Sequence, residues 1–505
     1  MTESHGIPIF GSVSFGGAEF SGDARFDGAE FTGDARFDGA KFTGHALFGE
    51  AEFTGDARFD GAKFTGHALF DGAKFTRDAS FEGAEFAGGA AFGRAKFSVG
   101  ASFEGAEFAG EAWFGWAEFG GGALFSGAQF TTAHTFGPVT CQRTLRLDRA
   151  TFAQPVTLEI ATQALDCTRT SWSSTATLRL RHARVDLTDA VLGAPLAVTA
   201  HRTPFTTPLD EELPEGALGN TDAPVRMVSV SGVDATNLVL TDTDLTECVF
   251  TGAFHLDHLR LEGRLHFAQP PTGWRWYGLI PTRWSPRRTL AEEHLWRHAT
   301  HAPGWTTPSA PPPAPSPAAV SRAVPEPDGL AVTYRALRKA LEDRGDAPGA
   351  ADFYYGEMEA RRHDPTITRA ERGLLRAYWL LSGYGLRASR ALASLIVVMT
   401  ITVALIVLFG LPATTPTPVT TGVPQPSGRI VLHTTTPDAV LPPWSGRVDG
   451  QRVGQALPVV LNAVIFRASD NDLTTAGVYL DMAARLLEPS LLALAVLALR
   501  GRVKR

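Results

Sequence analysis

The stretch AEFTGDARFDGAKFTGHALFDGAKF, residues 51–75, decides the fold. Its phenylalanines stand at 53, 59, 64, 70 and 75, so steps of six and five alternate and the true period is eleven. An alanine precedes each by two positions, at Ala51, Ala57, Ala62, Ala68 and Ala73. Two residues is the repeat of a β-strand, which turns each Ala–Phe pair to one side. An α-helix is excluded, because steps of five and six rotate by about 500° and about 600° and scatter the rings around its axis. Glycine between nearly every pair is a second objection, since it costs a helix interior about 1 kcal/mol and suits corners.

The pattern extends in both directions, and 24 of the 32 phenylalanines lie between Phe10 and Phe136. Units such as AEFTG, ARFDG, AKFTG and ALFDG resemble the pentapeptide-repeat family, whose five-residue unit places a small residue two positions before a central Leu or Phe. The resemblance implies a right-handed parallel β-helix, a four-sided solenoid with one unit per face. This chain departs from that pattern by an extra residue in every second unit, as in GDARF and GHALF, which we assign to a corner or small bulge. A coil then takes 22 residues instead of 20, with about six coils from Phe10 to Phe136. Phe15, Phe37, Phe59, Phe81, Phe103 and Phe125 form one ladder at about 4.8 Å, with three parallel ladders on the other sides. Each buried ring contributes about 1.5 to 3 kcal/mol before entropy is subtracted, so the rings are core and not a cofactor box.

Function is therefore expected on the outside. The residue before each Phe points outward, and on one face these positions read Arg25, Leu47, Leu69, Ala91 and Trp113, with Trp116 nearby. A stripe that turns apolar along a solenoid is a candidate interaction surface, carried by Leu47, Leu69, Trp113 and Trp116, for another protein, a second copy or the chain's own helices. Single exposed apolar residues are also ordinary on any surface. His45 and His67 occupy equivalent positions one coil apart, but two His in a Gly-rich row are too few ligands for a metal site. Asp34, Asp56 and Asp78 form an acidic ladder beside Arg36, Arg58 and Arg77.

Residues 1–137 carry 19 Asp and Glu against 9 Lys and Arg, a net of −10, so the remainder carries +3 of the total of −7. The acidic body and the basic C-terminal end are separate surfaces with different partners. Cys141, Cys167 and Cys248 lie far apart without a CxxC, which argues against a zinc site or a disulfide framework. The opening MTESHGIPIF lacks a basic start followed by an apolar run, so no secretory signal peptide is expected and the N-terminus is placed in the cytoplasm. There is no strand-GxGxxG-helix unit, no flavin or metal motif and no dedicated nucleophile arrangement, so an enzyme is not expected, and neither cofactors, metals nor catalytic residues are assigned.

Residues 1–137 are the regular solenoid, and 138–265 continue it irregularly, with Leu240, Leu245 and Phe250 returning to a step of five and Cys248 in the small inward place. The Trp-rich stretch 266–301, with WRWYGLIPTRWSPRRTLAEEHLWRHA, is read as a cap over the open end in preference to a nucleic-acid site. A proline-rich linker occupies 302–328. Residues 329–390 form a cytoplasmic helical hairpin that offers Arg335, Arg338, Lys339, Arg361 and Arg362 to solvent or lipid headgroups, then an interfacial helix with Trp379 and Tyr384. The uncharged run 391–411, ALASLIVVMTITVALIVLFGL, is a transmembrane helix. An extracytoplasmic loop, 412–473, contains the short apolar helix LPVVLNAVIF, and 474–505 hold a second transmembrane helix with the basic tail RGRVKR.

In that second span Asp481, Arg485 and Glu488 are candidate intramembrane polar residues. Either they lie at depth facing protein or water, with Asp481 and Arg485 paired four residues apart, or the span is short and they stay in the outer headgroups. YRALRKALEDRG, GAADFYYGEMEARR, YWLLSGYGLRASRAL and LALRGRVKR together resemble the membrane-anchored pentapeptide-repeat proteins of actinobacteria, a resemblance that brings no established activity. The expected protein is a multi-pass cell-membrane scaffold with both termini cytoplasmic, presenting its solenoid for protein–protein interaction. Its expected partners are the lipid bilayer and another protein or a second copy, with no nucleic acid. Two other readings stand beside it. One is a two-helix channel-like protein with the solenoid as a sensory or assembly module, although FRASDNDLTTAG lacks a TVGYG-like carbonyl run. The other is an acidic DNA mimic acting on a topoisomerase.

Overall fold

The computed structural model describes residues 2–4, 7–207, 210–219, 223–277, 280–283, 286–306, 324–413, 419–424, 430–435, 440–465 and 473–503. It divides into two compact units, Met1–Ala360 and Arg361–Arg505.

The first unit is built on a parallel β-solenoid of about 11 turns. Two-residue strands pair in parallel with those one coil away, as Phe31 with Phe53 and Phe53 with Phe75, a step of 22 residues. Ala and Phe of each pair are buried together. The ladder from Phe37 through Phe59, Phe81 and Phe103 to Phe125 has centroid spacings of 4.8, 4.9, 4.9 and 4.8 Å with nearly parallel rings. Rings of adjacent ladders meet edge to face, as Phe48 and Phe59 do at 5.4 Å and 85°. Such offset and edge-to-face contacts add about 0.5 to 1.5 kcal/mol per pair to the apolar burial.

Two kinds of corner alternate, and glycine suits each for its own reason, although Arg77 and Val99 take its place at two wide corners and Glu50, Arg94 and Trp116 at three tight ones. At the tight corner Phe37-Asp38-Gly39-Ala40, the Ala40 N–H donates to Phe37 O at 3.0 Å and Gly39 stands at φ +64° with open space around it. The extra residue sits in the wide corner, Phe42-Thr43-Gly44-His45-Ala46, where Gly44 lies directly on Gly22 of the preceding coil. A Cβ on Gly44 would come 2.5 Å from the Gly22 carbonyl carbon and 2.8 Å from Asp23 N. Conformation selects the first glycine and close approach of two backbones the second.

After Gly122 the wide-corner glycines run out and strands lengthen, to Thr135–Arg146 and Val156–Asp166. The register step falls from 22, Thr135 with Thr157, to 20, Val156 with Ala176. Leu196 then pairs with Leu238, a step of 42, because an excursion leaves the stack between Ala200 and Arg226 and returns to it. Leu240, Leu245, Cys248 and Phe250 are all buried, and the last parallel strand is Arg260–Glu262.

The end of the stack is closed mainly by helices. Helix α1, Ala291–Ala299, places Glu292 where its carboxylate accepts the N–H groups of Phe250 and Thr251 in the final coil. Helices α2, Pro327–Asp343, and α3, Ala347–His363, add Leu330, Tyr334, Leu337, Leu341 and Phe353 to the solenoid core, with Phe267 and Phe353 edge to face at 5.1 Å. The hairpin's cations, offered by the sequence to solvent or lipid headgroups, make ion pairs within the unit, with Arg335 and Lys339 still more than half exposed. Glu357 is buried and takes Arg335 at 2.9 Å and Arg338 at 3.1 Å, while Lys339 reaches Asp257 of the last coil at 2.8 Å. A buried carboxylate requires such partners, and the helix face that supplies them is the docked one. Of the four tryptophans assigned to the cap, Trp296 joins the core and Trp276 is 72% exposed. Trp284, and residues 307–323 of the linker, lie outside the described residues.

In the second unit Arg361 pairs with Glu371 and the buried Arg362 guanidinium covers the Trp379 ring at 4.4 Å, so neither is free. Helix α4, Arg369–Ser382, ends at Gly383 and leads to α5, Ala388–Leu405, which continues as a π-turn to Gly410. Helix α6, Gly450–Val464, covers the apolar run LPVVLNAV, and α7 runs from Thr475 to Val503. Ala388–Gly410 and Thr475–Leu499 are long and apolar enough to cross a membrane. Residues 466–472, most of the segment compared with a filter, lie outside the described residues.

Candidate interaction face

Parallel pairing places Arg25, Leu47, Leu69, Ala91 and Trp113 side by side in one outer column. Leu47 and Leu69 are half-buried and Trp113 is 36% exposed. At the end of the column Trp113 and Trp116 meet edge to face at 5.4 Å, and the Arg94 guanidinium lies 6.0 Å from the Trp116 ring. Trp116 occupies the left-handed site of a tight corner, φ 62°, the place that glycine fills in most coils. The residue before it is Gly115, where a Cβ would come 2.8 Å from Trp113 Cε2. Exchanging the usual Asp-Gly for Gly-Trp therefore makes room for one indole while presenting another.

The excursion after Ala200 folds back over this end. Trp116 Nε1–H donates to Thr206 O at 3.0 Å, and Phe205, Leu213 and Leu218 pack with Ala161 beside the same ring. Arg181 holds the excursion through Glu215, with Nε 2.8 Å from each carboxylate oxygen, and donates to His201 O at 3.0 Å. Below Trp113 an open groove of about 410 Å³ is lined by Thr135, Gly137, Thr157, Glu159 and Arg179. Glu159 and Arg179 are paired across it at 3.0 Å. The face thus offers a half-buried aliphatic row, an indole edge and a polar groove in sequence. Leu47, Leu69 and Trp113 share the open part, whereas Trp116 is committed to the chain's own excursion.

Elsewhere on the solenoid some of the charges pair between coils. Lys63 pairs with Glu85 at 2.7 Å and Lys96 with Glu118 at 3.0 Å, one rung apart. Corner carboxylates accept backbone N–H groups from the coil above, Asp23 from His45 and Asp71 from Gly93. Burial raises the Asp71 carboxyl pKa, opposed by the Gly93 N–H and by Arg94. His45 and His67 continue the Asp23 column: His45 Nδ1 accepts the His67 N–H at 3.2 Å and His67 Nδ1 the Gly89 N–H at 3.1 Å. Their stacking thus has a backbone-capping role that the spacing alone did not disclose. Among the described residues no group of three or more His, Cys, Asp or Glu is arranged to hold a metal ion.

Residues 9–52 and 48–96 match the family model described as pentapeptide repeats (9 copies). The solenoid is built from pentapeptide repeats. The search of curated proteins and that of solved structures each found no significant match.

In α7, Arg485 pairs with Asp481 at 2.6 Å, and Asp481 and Glu488 are both buried within the unit. Sequence reasoning missed two arginines between the spans. Arg452 donates to Val407 O, Leu411 O and Pro412 O, and Arg447 to Leu408 O, so both satisfy the exposed carbonyls where the first span ends.

Proposed function

We propose that this chain is a membrane-tethered scaffold whose pentapeptide-repeat solenoid presents a cytoplasmic surface to a protein partner, with no reaction of its own. The observation that carries the reading is the division of labour in the repeat. Inward positions are filled by four stacked Phe ladders, and the outward column from Leu47 to Trp113 sets apolar side chains on successive coils, whereas the more exposed Val99, Val191 and Phe254 stand outside it. Two membrane-length helices in the second unit supply the tether, and Arg372, Arg376, Arg387 and Arg390 before the first span support placing both termini inside. These features fit the membrane-anchored type resembled by the C-terminal motifs. Lysines placed on the same outer columns as the acids, and paired with them as Lys63 is with Glu85 and Lys96 with Glu118, favour a scaffold over an acidic DNA mimic, whose surface needs unbroken negative charge.

The test is affinity capture of the full-length protein from its native membrane after cross-linking, beside Leu69→Glu and Trp113→Ala variants. One partner recovered in stoichiometric amount and lost from both variants supports the reading. Capture unchanged by either variant contradicts this face as the docking surface.

A further inference from the structure

Glu488 lies near the middle of the apolar length of α7 and is 0% exposed, packed toward α5. The group facing it is Thr402 of α5. Neither carboxyl oxygen makes a hydrogen bond of normal geometry among the described residues. The Thr402 hydroxyl is already committed, donating to Val398 O one turn earlier at 2.9 Å. It has only lone pairs left to offer, so an ionised carboxylate finds no donor there. A carboxylic acid would have its own O–H to donate toward Thr402 Oγ1.

The rest of the helix face agrees. Asp481 Oδ2 holds Arg485, while Asp481 Oδ1 is buried without a hydrogen bond. At about 100° per residue, positions 481, 485 and 488 fall within an arc of about 60°. Arg485 therefore stands one turn from each carboxyl, four residues after Asp481 and three before Glu488, and has reach to either. Among the described residues, the charges on the other packed elements are few. Between Arg390 and Gly410, α5 carries none. The Arg452 side chain of α6 is bound to backbone carbonyls at the end of the first span. Helix α4 contributes Arg369, Glu371, Arg372 and Arg376, and on α7 itself the neighbouring charges are the paired Asp481 and Arg485.

We propose that Glu488 is a proton-binding site within the membrane, loaded while Arg485 is paired with Asp481. In the step that unloads it, the Glu488 O–H bond breaks, the proton passes through water to the free Oδ1 of Asp481, and the guanidinium changes hands from Asp481 to Glu488. One cation, one anion and one neutral acid are present before and after, so no net charge is created in the apolar layer. The proton moves about 10 Å along the helix axis, seven residues at 1.5 Å each. Loss of the bond to Thr402 loosens the seam between α5 and α7.

The experiment is infrared spectroscopy of the full-length protein reconstituted in lipid vesicles, following the carbonyl stretch of protonated carboxyls across pH. The native chain is expected to show such a band at neutral pH, and Glu488→Gln, which mimics the neutral acid, to lose it while keeping its helix content. Asp481→Asn leaves Arg485 to Glu488, so the Glu488 band should fade at lower pH than in the native chain. Identical spectra for native and Glu488→Gln protein overturn the site, and an unmoved band in Asp481→Asn overturns the exchange of Arg485. On the unmutated protein, dicyclohexylcarbodiimide, an apolar reagent that attacks protonated carboxyls, should modify Glu488. Modification confined to Asp481 reverses the assignment.

Discussion

Two glycines five residues apart should respond very differently to the same added methyl group. In Gly44→Ala the new Cβ comes 2.5 Å from Gly22 C and 2.6 Å from Gly22 O, where about 3.5 Å is needed. Backbone cannot swing aside as a side chain does, so the two coils must part locally by about 1 Å. That stretches the bond from Ala24 N to His45 O, 2.8 Å, and the cap from His45 N to Asp23 Oδ1, 3.0 Å, beyond hydrogen-bonding range. Losing both at about 1 to 2 kcal/mol each gives a cost of about 3 kcal/mol. Gly39→Ala meets nothing within 4 Å and must only adopt φ +64°, at about 1 kcal/mol. Glu50, Arg94 and Trp116 already stand at φ 55°, 55° and 62° in the same kind of corner. The difference of about 2 kcal/mol corresponds to roughly 30-fold in a local opening equilibrium. Amide hydrogen exchange of the full-length variants, read on peptides covering 22–46, should show that ratio. Equal loss of protection, or greater loss in Gly39→Ala, would refute the argument from stacked backbones.

Phe70→Ala removes a fully buried ring stacked on Phe48 and Phe92, both at 4.9 Å, and should cost about 3 to 5 kcal/mol. Exchange protection should fall in the adjoining coils and be kept beyond Phe136, as nearest-neighbour coupling requires. Cys141, Cys167 and Cys248 are buried, and burial pushes the Cys167 thiol well up, with Asp166 and Asp186 adding to it. All three should resist iodoacetamide in the folded protein and react after denaturation, as mass spectrometry will show. The hydrogen bond from Lys339 holds the Asp257 carboxyl below its ordinary range. A depressed carboxylate stabilises the fold above its unfolded pKa, and that contribution is lost as pH falls through the lowered folded value. The urea midpoint of the native protein should therefore fall more steeply over that acidic interval than that of Asp257→Asn, and parallel curves would deny the link between α2 and the last coil.

The regular solenoid was legible because Ala57 and Phe59, and every pair like them, repeat both the strand period of two and the coil period of 22. Trp113 and its column followed from the same counting. The excursion after Ala200 was not legible, since its anchor, Arg181 to Glu215, joins residues 34 apart whose spacing belongs to no period. Docking of α2 was hidden for another reason. Leu330, Tyr334, Leu337 and Leu341 announce an apolar helix face but do not name its partner, and Lys339 looks solvated until Asp257 is placed opposite it. In α7 the sequence left the start of the second span open between two choices. The helix begins at Thr475, which carries Asp481, Arg485 and Glu488 inside its length.

Site-specific photo-cross-linking of the full-length protein in its native membrane tests the scaffold reading most directly. With a photoreactive residue in place of Leu69, on the apolar column, the account predicts one discrete adduct, and with the same residue in place of Glu85, on a charge-paired column, none. Adducts of equal yield at both positions, or none at either, would contradict it.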